Sequence, residues 1–124
     1  MYFCNLGSGS KGNSTFIQAN NSKILIDQGF SGKKVIQRLN QRDIDPKKIE
    51  AIVITHEHSD HIKGAGIFAR RFDIPVYITK DTANQIKPDF FKKVRLKHYQ
   101  SGDNFRIGGI RLKAFHIPHD AHDP

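Results

Sequence analysis

Residues 51–61, AIVITHEHSDH, decide how the rest of the chain is interpreted. The segment AIVIT (51–55) is an apolar run bounded by polar residues, which is typical of a buried strand. Three histidines and two carboxylic acids follow it within six residues. Such groups repel one another when equally charged and need hydrogen-bond partners when buried, so a purely structural role is the weaker alternative. Because α/β proteins bind their ligands where strands end, the stretch predicts a ligand site.

The spacing of these side chains indicates metal binding. In an extended segment His56 and His58 point to the same side, so both can bind one ion. Asp60 and His61 come after a turn, at the predicted start of the next helix, where they can bind a second ion. Paired ions about 3.5–4 Å apart are common in phosphodiester hydrolysis, which makes Asp60 and His61 the candidate catalytic residues. Histidine and aspartate ligands suit zinc, and also manganese or iron.

The remainder of the chain alternates between predicted strands and helices. Helices are predicted after Ser31, from Ile62 to Phe72 and over residues 81–86, with one short turn after Asp45-Pro46. Strands mixed with helices on their faces predict an α/β protein. The other predicted strands cover residues 2–6, 14–19, 23–27, 74–79, 94–98, 104–107 and 110–117.

A second motif, GSGSKG (7–12), has the glycine spacing of a dinucleotide fingerprint. That fingerprint requires a helix directly after it, because the amides of the helix bind the pyrophosphate. The segment that follows, STFIQA (14–19), is rich in β-forming residues instead. The motif is therefore predicted to be a loop between two paired strands.

Composition narrows the class of protein. The chain has 124 residues, a formal net charge of +8 at pH 7, and no apolar run long enough to span a membrane, so one non-membrane domain is predicted. The single cysteine, Cys4, and the lack of a secretory signal favour the cytoplasm. The densest basic stretch runs from Lys87 to Lys97. It is either simply a solvated face or a nucleic-acid contact, for which the candidates are Lys92, Lys93, Arg95 and Lys97.

The sequence THEHSDH after an apolar strand resembles the HxHxDH signature of the metallo-β-lactamase superfamily. The resemblance covers essentially the whole chain. It is carried by NLGSGSKGNSTFI, KILIDQGFS, AIVITHEHSDHIKGAGIFARRFDIPVYIT and the closing HDAHDP, which are similar to the YycJ/WalJ-like branch. That branch consists of bacterial cytoplasmic metal-dependent hydrolases regarded as DNA exonucleases.

The resemblance implies a role for each matching residue. His56, His58 and His119 would bind the first ion, and Asp60 and His61 would bind the second. Asp27 matches an acid that orients the metal-binding loop from behind the ligands, although it could instead cap a turn. His119 could alternatively belong to a surface cluster with its neighbouring histidines.

The resemblance also implies what lies beyond this sequence. The family continues after the HDA element with a second half that supplies a bridging aspartate and a last histidine. Residues 1–124 are therefore expected to form a single incomplete domain, the N-terminal half of an αββα sandwich with a mixed sheet and helices on its outer face. We expect poor DNA cleavage by this chain alone. A homodimer through the uncovered face of the sheet is also expected.

The implied activity is phosphodiester hydrolysis of DNA, with a metal-bound hydroxide as the nucleophile in the intact site. One alternative is the hydrolysis of a small thioester or lactam, which the charge of +8 disfavours. Another is a catalytically silent metal-binding fragment or nucleic-acid-binding module. Salt-dependent DNA binding without turnover would indicate the last of these.

Overall fold

A computed structural model describes residues 1–114, and the candidate ligand His119 lies outside this range. Six strands form one mixed sheet in chain order, in which the first three are antiparallel and the last three continue parallel to the third. This arrangement confirms the predicted α/β class. The strands are β1 (Tyr2–Gly7), β2 (Ser14–Ala19), β3 (Ser22–Ile26), β4 (Ala51–Val53), β5 (Val76–Ile78) and β6 (Leu96–His98).

The connections agree with most of the predicted turns. The glycine-rich motif joins the antiparallel strands β1 and β2, which confirms a loop between paired strands. Ser31 caps the first helix by accepting a hydrogen bond from the backbone of Lys34, and Asp45 caps a short 3-10 turn in the same way. The helices are α1 (Gly32–Asn40), α2 (Ser59–Ile62), α3 (Ala65–Phe72) and α4 (Lys80–Asn84), with 3-10 turns over Pro46–Lys48 and Pro88–Phe91.

The single helix predicted from Ile62 to Phe72 is wrong, because α2 ends and α3 begins on either side of Gly64. The Gly64 amide donates to the Gln28 carbonyl across 3.1 Å, and a Cβ atom at Gly64 would overlap the carbonyl of Phe30. The segment after β3 therefore passes directly against the chain at this point. A continuous helix would leave no room for it.

The helices cover one face of the sheet and form the larger core. Three neighbouring strands each point one side chain to this face, namely Leu25, Ile52 and Val76. These side chains belong to the same buried cluster as the helical residues Leu39 and Phe68. All five are essentially excluded from solvent. This core fixes the position of the strands whose carboxyl ends carry the histidine cluster.

The opposite face carries a hairpin made of β7 (Asn104–Ile107) and β8 (Ile110–Lys113), turned at Gly108-Gly109 as predicted. The Phe105 ring stacks on Tyr77 of β5 at 5.6 Å and on Tyr99 at 5.1 Å, between ring centroids. This face was predicted to be uncovered, whereas Ile107 and Ile110 of the hairpin bury its centre. Phe3 on β1 remains 69% exposed, so the homodimer stays a prediction with a smaller surface available to it.

No helix within residues 1–114 is long and apolar enough to cross a membrane.

Candidate metal centre

The candidate site lies at the carboxyl ends of β3 and β4. Asp27 directly follows β3, and the histidine cluster follows β4 and continues into α2. Because these two strands are parallel, their carboxyl ends meet at the same end of the sheet. The fold therefore brings together side chains that lie about thirty residues apart in the sequence.

Asp27 is the centre of the hydrogen-bond network at this site. The residue is buried, with only 6% of its surface exposed. Its carboxylate accepts hydrogen bonds from the Thr55 amide at 2.7 Å and from the Thr55 hydroxyl at 2.6 Å. The same oxygen that binds the hydroxyl lies 2.7 Å from Nδ1 of His61. Its backbone adopts a left-handed conformation with φ of 62°, which aspartate tolerates better than most residues. Asp27 thus holds Thr55 and His61, which flank the histidine-rich stretch, at the same time.

Three side chains form a group that can hold one ion. Asp27, His56 and His61 each offer a ligand atom, and these atoms lie within 4.8 Å of one another. Two donors on one zinc ion, at roughly 2.0–2.2 Å each, lie at most about 4.4 Å apart. A small side-chain movement therefore suffices, and the nitrogen and oxygen donors suit a divalent ion. The Thr55 hydroxyl also contacts Nδ1 of His56 at 2.8 Å, which links this ring to Asp27.

The remaining predicted ligands lie around this group. The His58 ring stacks at 6.2 Å from the His56 ring, with 56% of its side chain exposed, and its Nε2 lies 3.3 Å from the Glu57 carboxylate. Asp60 Oδ2 lies 3.8 Å from Nε2 of His61. The structure therefore brings His56 next to His61 and Asp27 as well as next to His58, and the first of these contacts was not predicted from the spacing.

Sequence reasoning missed three residues that support the site. Thr55 links Asp27 to His56, and Asn13 donates from its side chain to the carboxylate of Asp60 at 3.0 Å. The Tyr99 hydroxyl donates to the Ile54 carbonyl at 3.0 Å, and burial, together with the charge of Asp27, raises the pKa of Tyr99. A hydroxyl directly before the first histidine was a usable signal for Thr55. Asn13 gave no such signal, since only folding brings it to Asp60.

The basic stretch does not lie beside the histidine cluster. Lys92, Lys93 and Arg95 precede β6, at the amino end of the parallel strands, while the cluster lies at their carboxyl end. Arg95 is bound to Asp73, with one contact to its carbonyl at 2.8 Å and one to its carboxylate at 3.5 Å. The Lys97 ammonium lies 5.8 Å from the centroid of the Tyr77 ring.

Fold and site together define an α/β protein with a candidate metal centre at the carboxyl end of a mixed sheet. Residues 7–124 match the metallo-beta-lactamase superfamily, and the chain belongs to this family. The Rm3 metallo-beta-lactamase has a similar structure, with a TM-score of 0.76 at 22% identity over 91% of this chain and 48% of that one. These findings confirm the predicted family and fold.

Curated relatives extend this comparison. Exodeoxyribonuclease YycJ of Bacillus anthracis is 35% identical over 130 residues, which cover 100% of this chain and 48% of that protein. A hydroxyacylglutathione hydrolase of Yersinia enterocolitica is 32% identical over 96 residues, or 77% of this chain and 34% of the relative. The chain thus spans about half the length, or less, of these relatives. The superfamily implies binding of a divalent metal, for which Asp27, His56 and His61 are a candidate group.

Proposed function

We propose that this chain carries the metal-binding part of a metal-dependent hydrolase that cleaves the phosphodiester bonds of DNA. The observation that supports it most is the convergence of Asp27, His56 and His61 within 4.8 Å, because it brings one proposed ligand of each ion, His56 and His61, next to the acid that orients them. A network this well connected is suited to hold ligands in place before an ion arrives.

The chain's own residues divide the work at the site. His56, His58 and His119 are proposed to bind one ion, and Asp60 and His61 a second. The proposed metal is zinc, with manganese or iron as alternatives. Asp27 orients His61 through the contact at 2.7 Å and fixes the loop through Thr55. Divalent ions in such a site supply Lewis-acid activation of water and of a phosphoryl oxygen. In this proposal Asp60 and His61 are the catalytic residues.

DNA is proposed as the substrate for two reasons. The exodeoxyribonuclease YycJ matches the whole of this chain, whereas the hydroxyacylglutathione hydrolase matches less of it at lower identity. The net charge of +8 favours a polyanion over a small thioester or lactam. The second candidate, a thioester hydrolase, rests on the similarity to the hydroxyacylglutathione hydrolase.

Lys92, Lys93, Arg95 and Lys97 are proposed to contact the phosphate backbone away from the reacting bond. All four side chains are exposed, and a cluster of exposed cations favours contact with a polyanion.

Parallel assays test the proposal with the ion-loaded chain, and with any longer product that its gene encodes. The substrates are labelled DNA, a hydroxyacyl-glutathione thioester and a β-lactam. For the longer product we expect ion-dependent cleavage of DNA and of neither other substrate, and we expect His58→Ala and Asp60→Ala to abolish it. The 124-residue chain should bind DNA in a salt-dependent manner but cleave it near background. Preferential cleavage of the thioester would contradict the proposal. DNA binding with no turnover by any form would favour a silent nucleic-acid-binding module.

Two further properties belong to this proposal. A cytoplasmic location is proposed because the chain has a single cysteine, Cys4, and because the YycJ-like branch is cytoplasmic.

A homodimer is proposed through the part of the sheet beyond the hairpin, where Phe3 is 69% exposed. Light scattering at micromolar concentration should give twice the mass of the chain, and Phe3→Ser should restore the monomer. A wild-type monomer would contradict the dimer.

A further inference from the structure

We propose that Asn13 is a positioning residue of the metal centre, whose side-chain amide fixes the carboxylate of Asp60 for ion binding. The inference rests on the proposed function, in which Asp60 is a metal ligand. It gives a role to the glycine-rich loop between β1 and β2, which belongs to no part of that function so far. Asn13 and Asp60 are 47 positions apart in the sequence, so the contact is made only by the fold.

Three hydrogen bonds join the two residues. The Asn13 backbone amide donates to the Asp60 carbonyl at 2.7 Å. The side-chain nitrogen Nδ2 donates to Oδ2 of the Asp60 carboxylate at 3.0 Å and lies 3.1 Å from its carbonyl. The backbone of Asp60 and the plane of its carboxylate are thus both held by one residue, as expected for a partner behind a metal ligand.

The contact requires an amide at position 13. Oδ1 of Asn13 accepts a hydrogen bond from the Gly9 amide at 3.1 Å, while Nδ2 donates to the Gly9 carbonyl at 3.0 Å as well as to Asp60. Only an amide of this length both accepts from the loop and donates to the carboxylate. An aspartate at this position would lose the donor and place a second negative charge against Asp60.

The loop that carries Asn13 is fixed from behind. The Gly29 amide donates to the Asn13 carbonyl at 3.0 Å, and a Cβ atom at Gly29 would overlap the Asp60 carbonyl. The backbones of the segments that carry Asn13, Gly29 and Asp60 are therefore in direct contact, with no side chain between them. The side chain of Asp60 is 30% exposed, so the hydrogen bond from Asn13 is partly shielded from water.

Ion affinity in the full chain tests this assignment. Zinc and manganese are titrated separately by competition with a chromophoric chelator, into wild type, Asn13→Ala, Asn13→Asp and Asn5→Ala. Asn5 is the matched control, because its side chain accepts from the Gly7 amide of the same loop at 2.8 Å. We expect Asn13→Ala to weaken binding of the ion held by Asp60 about 10- to 100-fold, and Asn13→Asp to weaken it further. Asn5→Ala should stay within about twofold of wild type.

A double-mutant cycle distinguishes positioning from a general structural role. If Asn13 acts through Asp60, the effect of Asn13→Ala disappears in an Asp60→Ala background. An equal effect in both backgrounds, or wild-type affinity in Asn13→Ala, would overturn the inference. If Asp60→Ala itself binds ions like wild type, the ligand assignment of the proposed function fails. Thermal unfolding of the ion-free variants serves as the check that each is folded.

Discussion

The two ends of the parallel strands carry polar groups that are held in different ways. At the carboxyl end the side chains bond to one another, as Asp27 does to Thr55 and His61. At the amino end the cations bond largely to neutral backbone carbonyls, as Arg70 does to Phe90 at 3.2 Å. The first arrangement fixes a geometry that suits one small ion, whereas the second leaves positive charge at the surface for long-range attraction. Metal binding and DNA binding should therefore respond separately to mutation.

Asp27→Ala should have the largest effect on stability. The substitution removes the acceptor of both Thr55 hydrogen bonds and the partner of His61 at a nearly buried position. We expect the free energy of unfolding of the ion-free protein to fall by about 3 kcal/mol, as measured by urea denaturation. The matched control is Asp45→Ala, which removes a cap hydrogen bond to Lys47 at 3.0 Å and should cost about 1 kcal/mol. Equal losses in the two variants would contradict a central role for Asp27.

His58→Ala should separate ion binding from stability at the same end. The His58 side chain is 56% exposed, so its loss should change the free energy of unfolding by less than about 0.5 kcal/mol. The proposed ligand role predicts one zinc ion at the three-histidine site of the wild type and at least a tenfold weaker affinity of that site in the variant, or about 1.4 kcal/mol. Elemental analysis and chelator competition measure both quantities. His98→Ala, whose ring contacts the Ile78 carbonyl at 3.0 Å, is the control. Full affinity in His58→Ala would show that Asp27, His56 and His61 suffice.

The sequence predicted the strands and the position of the cluster well, for physical reasons. Strands such as 14–19 and 104–107 were predicted at their observed bounds because short runs of β-forming residues bounded by turn residues are a local signal. The break at Gly64 was missed because it depends on a distant segment that passes against it. The closeness of His56 to His61 and Asp27 also depends on the fold and was not predicted, whereas the assignment of ligands to ions stays a prediction. Spacing along an extended chain predicts which side chains point to the same side. It does not predict that the turn after His58 brings the His61 ring close to the His56 ring.

Tyr99→Phe should have a smaller effect, confined to the support of β4. The hydroxyl donates to the Ile54 carbonyl, and its loss should cost about 1 kcal/mol of unfolding free energy at neutral pH. Because burial raises the pKa of Tyr99 above its ordinary value, this contribution is present below about pH 10 and is lost as pH rises through the folded-state value. Urea denaturation from pH 9 upward should therefore show a steeper fall for wild type than for the variant. Tyr77→Phe, at a ring that stacks on Phe105, is the control.

The smallest effect on stability, and the sharpest test of the opposite end, is expected from replacing Lys92 and Lys93 together by alanine. Both side chains are exposed, so the free energy of unfolding should stay within about 0.5 kcal/mol of wild type. If each lysine contacts one phosphate, the slope of log K against log salt for duplex DNA should fall by about two units, at about 0.9 per contact.

Replacing Lys47 and Lys48, an exposed pair on the 3-10 turn Pro46–Lys48 before β4, removes the same charge from another point of the same end and is the matched control. Fluorescence anisotropy with a labelled duplex, repeated from low to physiological salt, measures both slopes. Zinc affinity should be unchanged in both double variants, because neither pair lies at the carboxyl end of the parallel strands. Equal slopes for the two variants would mean that the charge of the amino end as a whole, rather than the position of Lys92 and Lys93, governs DNA binding.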